Sequence, residues 1–205
     1  MLYHERLAKK NGYSVIIGAD EVGRGSLAGP VVVAAVFIKK FKFKNRIDDS
    51  KKLTPAQREK AFFEIVRQSV FDIGIMNEEA VDNINVSKAA ALAVDVAVTR
   101  LLSRLKSPKP TFKNTFLLLD GRLRSGLPYR FKEIIGGDSL SLSIAAASIV
   151  AKVLRDRMMV LYHRIYPVYD FAAHKGYGTE RHRENIKKYG LSPLHRKTFC
   201  LGKIW

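Results

Sequence analysis

With a single cysteine, Cys200, this 205-residue chain can form neither an internal disulfide nor a multi-cysteine zinc site, a composition that suits a reducing compartment. Long hydrophobic runs are missing too. The longest uninterrupted one, Val31 to Ile38, falls far short of the roughly 20 residues that a bilayer-crossing helix needs. No stretch sets a strongly apolar face against a basic one as a membrane-surface helix does. Met1 to Gly12 is polar and charged where a secretory leader would be apolar. These absences predict a soluble, cytoplasmic protein with no membrane partner. Acids are scarce as well: 19 Asp and Glu face 36 Lys and Arg, a net charge of +17. Such an imbalance speaks of a polyanionic partner rather than of any fold, and nucleic acid is the polyanion expected.

A chain of 205 residues that is 47% hydrophobic can build one substantial core and is short for two. One domain, 1–205, is therefore expected, with a sheet-and-helix core over about 13–165 and a basic helical segment over about 166–205. There is no internal repeat, low-complexity tract or linker. Val15 to Ala19 and Val31 to Ile38 are apolar, β-prone runs joined by a glycine-rich stretch, and they predict two neighbouring strands. Thr54-Pro55-Ala56-Gln57 carries a helix N-cap, a proline at the first helical position and a Gln to close a capping box, opening a helix that runs to about Ser69. Phe71 to Met76 reads as a third strand, and the Ala-rich, glycine-free run Ser87 to Leu105 as a helix. Phe116 to Leu119 and Phe131 to Ile135 are two more strands. A long helix is predicted over Ser139 to Ile165, with small residues Ala145 to Ser148 allowing close packing, and a capped one over Thr179 to Lys188 closed by Gly190. Strands followed by strands alternating with helices indicate a mixed α/β sheet with a helical C-terminal portion.

In so basic a chain the positions of the acids stand out. Asp20 and Glu21 end the first strand, Asp120 ends the fourth, and Asp138 begins the long helix. Carboxylates at the tips of adjacent strands can converge although distant in sequence, and their mutual repulsion is relieved when cations fill the gap. Mg²⁺ suits such a group because it takes a few carboxylate oxygens and keeps other positions for water and phosphate. A pair of ions can serve both the attacking and the leaving oxygen of a phosphodiester. Successive residues of a strand point to opposite faces, so Asp20 and Glu21 cannot both project regularly into one site. Plainer roles compete at each position: Asp138 as a helix N-cap, Asp120 as a turn residue before Gly121.

Six motifs occur in order: Asp20-Glu21-Val22-Gly23-Arg24-Gly25 through Pro30, Asp49-Ser50-Lys51-Lys52-Leu53, Leu119-Asp120-Gly121, Gly137-Asp138-Ser139, Ala145 through Lys152, and His174-Lys175-Gly176-Tyr177-Gly178-Thr179. Together they closely resemble the type 2 ribonuclease H family, specifically ribonuclease HII, and the resemblance runs from Val15 to Phe199. It implies a ribonuclease H-like α/β fold with a five-stranded mixed sheet flanked by helices. On it Asp20, Glu21, Asp120 and Asp138 hold two Mg²⁺ or Mn²⁺ ions. It further implies an endonuclease that hydrolyses the RNA strand of RNA/DNA hybrids and nicks duplex DNA 5′ of embedded ribonucleotides, leaving 5′-phosphate and 3′-hydroxyl ends, in ribonucleotide removal from DNA.

By the same resemblance Gly23, Arg24 and Gly25 read the ribose 2′-hydroxyl largely through backbone atoms, and Tyr177 packs on the following deoxyribose. Glycines permit that approach, and the 2′-hydroxyl is what separates RNA from DNA at one nucleotide. A hairpin turn for the glycines and a half-buried aromatic for Tyr177 are the plainer alternatives. Lys51 and Lys52 are candidate phosphate contacts. Arg181, His182, Arg183, Lys187 and Lys188 form a basic run that follows the duplex backbone or is simply a solvated face. Two residues depart from the family pattern: Gly136 stands where Lys usually precedes Gly-Asp, and Ser26 replaces Pro, which would loosen the loop. Gly-Arg-Gly rather than Gly-Lys-Gly argues against ribonuclease HIII. The ending Phe199 to Trp205 shows no clamp-binding pattern, and a monomer is expected. The rivals left open are another nuclease or strand-transferase on this fold and a non-catalytic nucleic-acid-binding protein.

Overall fold

Strand β2, Val31–Ile38, is buried at every position in the computed structural model, which describes residues 1–200. Residues 201–205, the last of the expected 166–205 segment and of the Phe199 to Trp205 ending, lie outside the described residues. Side chains alternate along a strand. Val31, Val33, Ala35 and Phe37 therefore pack with α4, Val86–Arg104, while Ala34, Val36 and Ile38 pack on the other face with α6, Leu142–Ile165. A continuous apolar run is what a strand needs when neither face meets water.

β2 pairs antiparallel with β1, Val15–Val22, and with β3, Ser69–Met76. On its other side β1 pairs in parallel with β4, Thr115–Asp120, which pairs in parallel with β5, Arg130–Ile134. The order β3-β2-β1-β4-β5 makes a five-stranded mixed sheet with β1 at its centre. This is the expected architecture. Helices approach it closely where strands carry glycine. A Cβ on Gly18 would overlap the Ser143 backbone of α6, and one on Gly74 would lie 2.7 Å from the Ala93 carbonyl carbon of α4. Ala145 to Ser148, small residues of α6, are all buried.

The capping box holds as read: the Thr54 hydroxyl accepts from Gln57 N–H and the Gln57 side chain accepts from Thr54 N–H, opening α2, Pro55–Gln68. Two helices ahead of the C-terminal portion escaped the sequence reading. α1, Tyr3–Lys10, buries only Glu5 and Ala8, too thin an apolar stripe to register. α3, Glu78–Ile84, is short and is capped by Asn77.

Strand limits also shift. β1 continues to Val22 rather than stopping at Ala19, because its pairing with β2 runs on through Asp20, Glu21 and Val22. Its pairing with β4 ends at Ala19 opposite Leu119, leaving the β4 side of Asp20 open. β5 begins and ends one residue earlier than expected, and Ile135 is exposed.

The long helix predicted from Ser139 is in fact two. α5, Gly137–Leu140, is separated from α6 by Ser141, which is extended at φ −121° and ψ 129°. The Ser141 hydroxyl caps Ile144 N–H and donates to the Glu5 carboxylate, which also accepts from Ser143 N–H. A residue of α1 therefore holds the break open. Beyond α6 come α7, Phe171–His174, α8, Glu180–Tyr189, and α9, Lys197–Cys200, the helical C-terminal portion that was expected.

Candidate active site

Asp20 and Asp120 sit level on adjacent parallel strands, one step past the Ala19–Leu119 pair and on the same face of the sheet. Neighbouring strands are about 4.8 Å apart, so the two carboxylates converge. Glu21 joins them: one ligand oxygen from each of Asp20, Glu21 and Asp120 lies within 4.8 Å of the others. Strict alternation would send Glu21 to the opposite face. The group forms because pairing with β4 has already lapsed there and because the Asp20 carboxylate folds back to accept the Glu21 N–H at 2.7 Å.

Charge is held in this group at a cost. Burial pushes the Asp20 carboxyl well above the ordinary range, and the charges of Asp120 and Glu21 push the same way against hydrogen bonds from Ser148 and the Glu21 N–H. Burial raises Glu21 also, opposed by the Arg24 guanidinium and assisted by Asp120. Glu21 Oε2 is buried without a hydrogen-bond partner.

Asp138 adjoins the group without entering it. The Gly137 N–H donates to Asp120 Oδ1 at 2.7 Å, so the turn carrying Asp138 is tied to the tip of β4. Asp138 is not the N-cap of a helix: that position belongs to Gly136, which is left-handed at φ 64°. Burial, then the charges of Asp120 and Asp49, push the Asp138 carboxyl up to about 6 although Lys51 pulls it down. Lys51 Nζ lies 3.9 Å from Asp138 Oδ2 and its side chain is largely exposed. Burial disfavours the Lys51 charge, but Asp49, Asp138, Asp20 and Asp120 outweigh it and raise its pKa. Lys52 is used otherwise: its ammonium donates to Ser139 Oγ at 2.7 Å and lies 3.7 Å from Asp48, bracing the turn at Ser50–Lys52 against α5.

The Gly23-Arg24-Gly25 loop borders the acids. A cavity of about 400 Å³ is lined by Asp20, Glu21, Gly23, Gly25, Lys51 and Tyr177, together with Ser148 and Lys152. Gly23 is required by its backbone, φ +89°, and by space, since a Cβ would meet the Arg155 guanidinium and lie 2.7 Å from the Pro30 carbonyl oxygen. Gly25 has nothing within 4 Å of that position, so its bare backbone faces open space. The Arg24 side chain turns aside, donating to Ser87 Oγ at 2.9 Å and lying 3.6 Å from Glu21 Oε1.

Sequence reasoning missed what holds this loop. Arg155 is fully buried and donates to the Pro30, Ala28 and Lys175 carbonyls and to Ser26 Oγ at 2.9 to 3.1 Å. Arg196, also fully buried, donates to the carbonyls of Gly29 and Arg24. Carbonyls and the Ser26 hydroxyl, rather than carboxylates, satisfy the two cations. A signal was available, because Arg155 falls on the inward face of α6 with Ser148, Ala151 and Met159, and a lone arginine there is anomalous. Ser26 does not loosen the loop as expected; its buried hydroxyl adds an anchor. His182 is fully buried, so it is no phosphate contact within the basic run, and Arg181 faces Asp170 at 3.2 Å.

A five-stranded mixed sheet with carboxylates gathered at adjacent strand tips defines a ribonuclease H-like, metal-dependent nuclease. The family model described as Ribonuclease HII matches residues 17–202. The ribonuclease HII of Acholeplasma laidlawii is 45% identical over 201 residues, covering 97% of this chain and 94% of that protein. That of Syntrophotalea carbinolica is 46% identical over 199 residues, covering 97% and 91%. The chain therefore belongs to the ribonuclease HII family, and it is a metal-dependent endoribonuclease acting on RNA/DNA hybrids. Among solved structures, the ribonuclease HII of Archaeoglobus fulgidus, in its complex with PCNA, superposes with a TM-score of 0.72 at 24% identity, covering 89% of this chain and 94% of that one. Ribonuclease H2 of Pyrococcus horikoshii gives 0.67 at 24%, covering 90% and 93%; both likenesses concern the fold. Among the described residues no helix is long and apolar enough to cross a membrane.

Proposed function

We propose that this enzyme, besides cutting the RNA strand of hybrids, nicks duplex DNA on the 5′ side of an embedded ribonucleotide, leaving 5′-phosphate and 3′-hydroxyl ends, and so acts in ribonucleotide removal from DNA. The observation that carries the reading is the shared cavity: the Asp20 and Glu21 side chains, with Asp120 within 4.8 Å of them, line the same space as Gly25 and Tyr177.

The residues present fit divalent cations. Three carboxylates within 4.8 Å of one another, an unpartnered buried oxygen on Glu21 and raised Asp20 and Asp138 carboxyls all describe negative charge that wants a counter-ion. We assign Asp20, Glu21, Asp120 and Asp138 as the ligands of two Mg²⁺ or Mn²⁺ ions in the substrate complex. When bound, the ions would activate the attacking water and neutralise the leaving oxygen. The chain does the rest. Glu21 N–H holds Asp20 in place, and Gly137 N–H holds Asp120. With the Arg24 side chain turned to Ser87, recognition of the 2′-hydroxyl falls to the backbone of Gly23, Arg24 and Gly25. Tyr177, about one-third exposed, offers its ring to the following sugar. Lys51, at the rim beside Asp138, meets a phosphate; Lys52, committed to Ser139, braces the turn instead. We read the enzyme as a single domain working as a monomer. The C-terminal portion belongs to that domain because His195 bridges to Ala28 and Arg196 holds Arg24.

The test is cleavage of three end-labelled duplexes, one all-DNA, one with a single ribonucleotide and one a full hybrid, with and without Mg²⁺ or Mn²⁺. We expect metal-dependent cutting of the last two only, with the single-ribonucleotide product one nucleotide shorter than the ribonucleotide position. Equal cutting of all-DNA duplex, or no nick at the single ribonucleotide, would defeat the proposal.

A further inference from the structure

Beneath Tyr177 lies a set of buried imidazoles that the cleavage chemistry does not use. We propose that His182 and His195 are positioning residues: a one-directional chain of hydrogen bonds between neutral imidazoles fixes the Tyr177 backbone and so sets how the enzyme reads the ribonucleotide–deoxyribonucleotide junction. The proposal rests on the reading of Tyr177 given above.

The direction follows from groups that can act in only one way. Ser192 N–H donates to His195 Nδ1 at 2.9 Å, so that nitrogen carries no proton and Nε2 does. The Tyr177 carbonyl, an acceptor, lies 2.9 Å from His182 Nδ1, so the proton of His182 is there and its Nε2 is bare. The two remaining nitrogens meet at 3.1 Å, His195 Nε2–H donating to His182 Nε2. No other pair of neutral tautomers satisfies all three contacts. His174 closes the arrangement. Its Nδ1 accepts from Gly176 N–H at 3.2 Å, its Nε2 donates to the Tyr169 carbonyl at 2.7 Å, and its ring stacks on His182 with centroids 4.2 Å apart. Tyr177 N–H in turn donates to the His174 carbonyl at 3.0 Å. Both polar groups of the Tyr177 backbone are thus held: the N–H by the His174 carbonyl, and the carbonyl by the His182 imidazole together with the Thr179 N–H, which donates to it at 2.8 Å.

A proton added to His182 or His195 would set two N–H groups against each other. Burial holds both rings down at about 4, so they are neutral at physiological pH. The titratable and charged groups facing them are His174 and Tyr169, with Asp170, Lys175 and Arg181 around His174. The chain also reaches the reading loop: Leu27 and Ala28 N–H donate to the Gly176 carbonyl, and Arg196 N–H donates to that of Leu27. The loop and Tyr177 therefore share one frame.

The experiment compares kcat and KM on the single-ribonucleotide duplex and on the full hybrid for Tyr177→Ala, His182→Leu, His182→Asn and His195→Gln, with ¹⁵N NMR of the wild-type imidazoles at pH 6. We expect His182→Leu to lower kcat/KM on the junction substrate about tenfold more than on the hybrid, as Tyr177→Ala does. His182→Asn, which keeps a donor near the Nδ1 position, should restore most of that ratio, and the spectra should show His182 protonated at Nδ1 and His195 at Nε2. If Tyr177→Ala changes the ratio while His182→Leu and His195→Gln do not, the relay is overturned and the Tyr177 reading stands. If Tyr177→Ala leaves the ratio unchanged, that reading falls and the proposal with it. A charged or oppositely protonated His182 also overturns the relay, and the wild-type spectra decide the matter should His182→Leu fail to fold.

Discussion

Gly137 and Asp120 are joined by a hydrogen bond of 2.7 Å that locks the turn bearing Asp138 to the tip of β4. A Cβ on Gly137 would lie 3.1 Å from the accepting oxygen and 2.6 Å from Ile144 Cδ1, so the bond is made at a close approach that a side chain would crowd. Gly137→Ala should push α5 away from β4. We expect a loss of about 1–3 kcal/mol of stability and a fall in kcat larger than any rise in KM. Steady-state kinetics beside thermal melting would check it, and unchanged kcat would show that the position of Asp138 is uncritical.

Gly23 and Gly25 should behave differently although they share a motif. Gly23→Ala combines a left-handed φ with collision at Arg155, and should cost about 1–3 kcal/mol. Gly25→Ala meets nothing within 4 Å and should leave stability within about 0.5 kcal/mol, yet cut the single-ribonucleotide duplex far more slowly. Normal cutting by a stable Gly25→Ala enzyme would remove the loop backbone from substrate recognition.

Asp20→Asn keeps an acceptor for the Glu21 N–H while removing a buried negative charge. The metal-free variant should melt higher than the wild type. Its kcat should drop by several powers of ten, each worth about 1.4 kcal/mol of barrier, with duplex binding retained. Near-normal cleavage would eliminate Asp20 as a metal ligand.

Asp138 should leave a mark on the pH dependence of stability. The native carboxyl keeps its proton up to about pH 6, because of burial and then Asp120 and Asp49, whereas the unfolded chain releases it near 3.8. Between those values the native state binds more protons, so stability falls as pH rises. In chelator, the melting advantage of Asp138→Asn over wild type should therefore be near zero below pH 3.8, grow through the window and level off above about pH 6. Mg²⁺, bound by the folded state alone, should narrow the gap at pH 7. A gap independent of pH would contradict the raised carboxyl.

Much of this molecule is written locally. The double-sided burial of β2 follows from an unbroken apolar run, and the start of α2 from the spacing of Thr54, Pro55 and Gln57. The family resemblance followed from six short motifs in order. Where local pattern was faint or the deciding partner distant, the reading failed. α1 has too thin an apolar stripe to be seen, and Ser141 looks like an ordinary helical residue until Glu5 takes its hydroxyl.

Residue types and their order alone determined the sheet's strands, the acids offered to a metal and the polyanionic partner, since periodicity, capping and charge are properties of neighbours along the chain. Tertiary structure decided which acids meet. The parallel register of β1 with β4 brings Asp20 level with Asp120, the lapse of pairing after Ala19 admits Glu21, and a bond from Gly137 leaves Asp138 alongside. It also buried Arg155 and Arg196 against the backbone of the Gly23–Pro30 segment and took His182 out of the basic run. Burial and hydrogen-bond partners are set by segments far apart in sequence, and only folding brings them into contact.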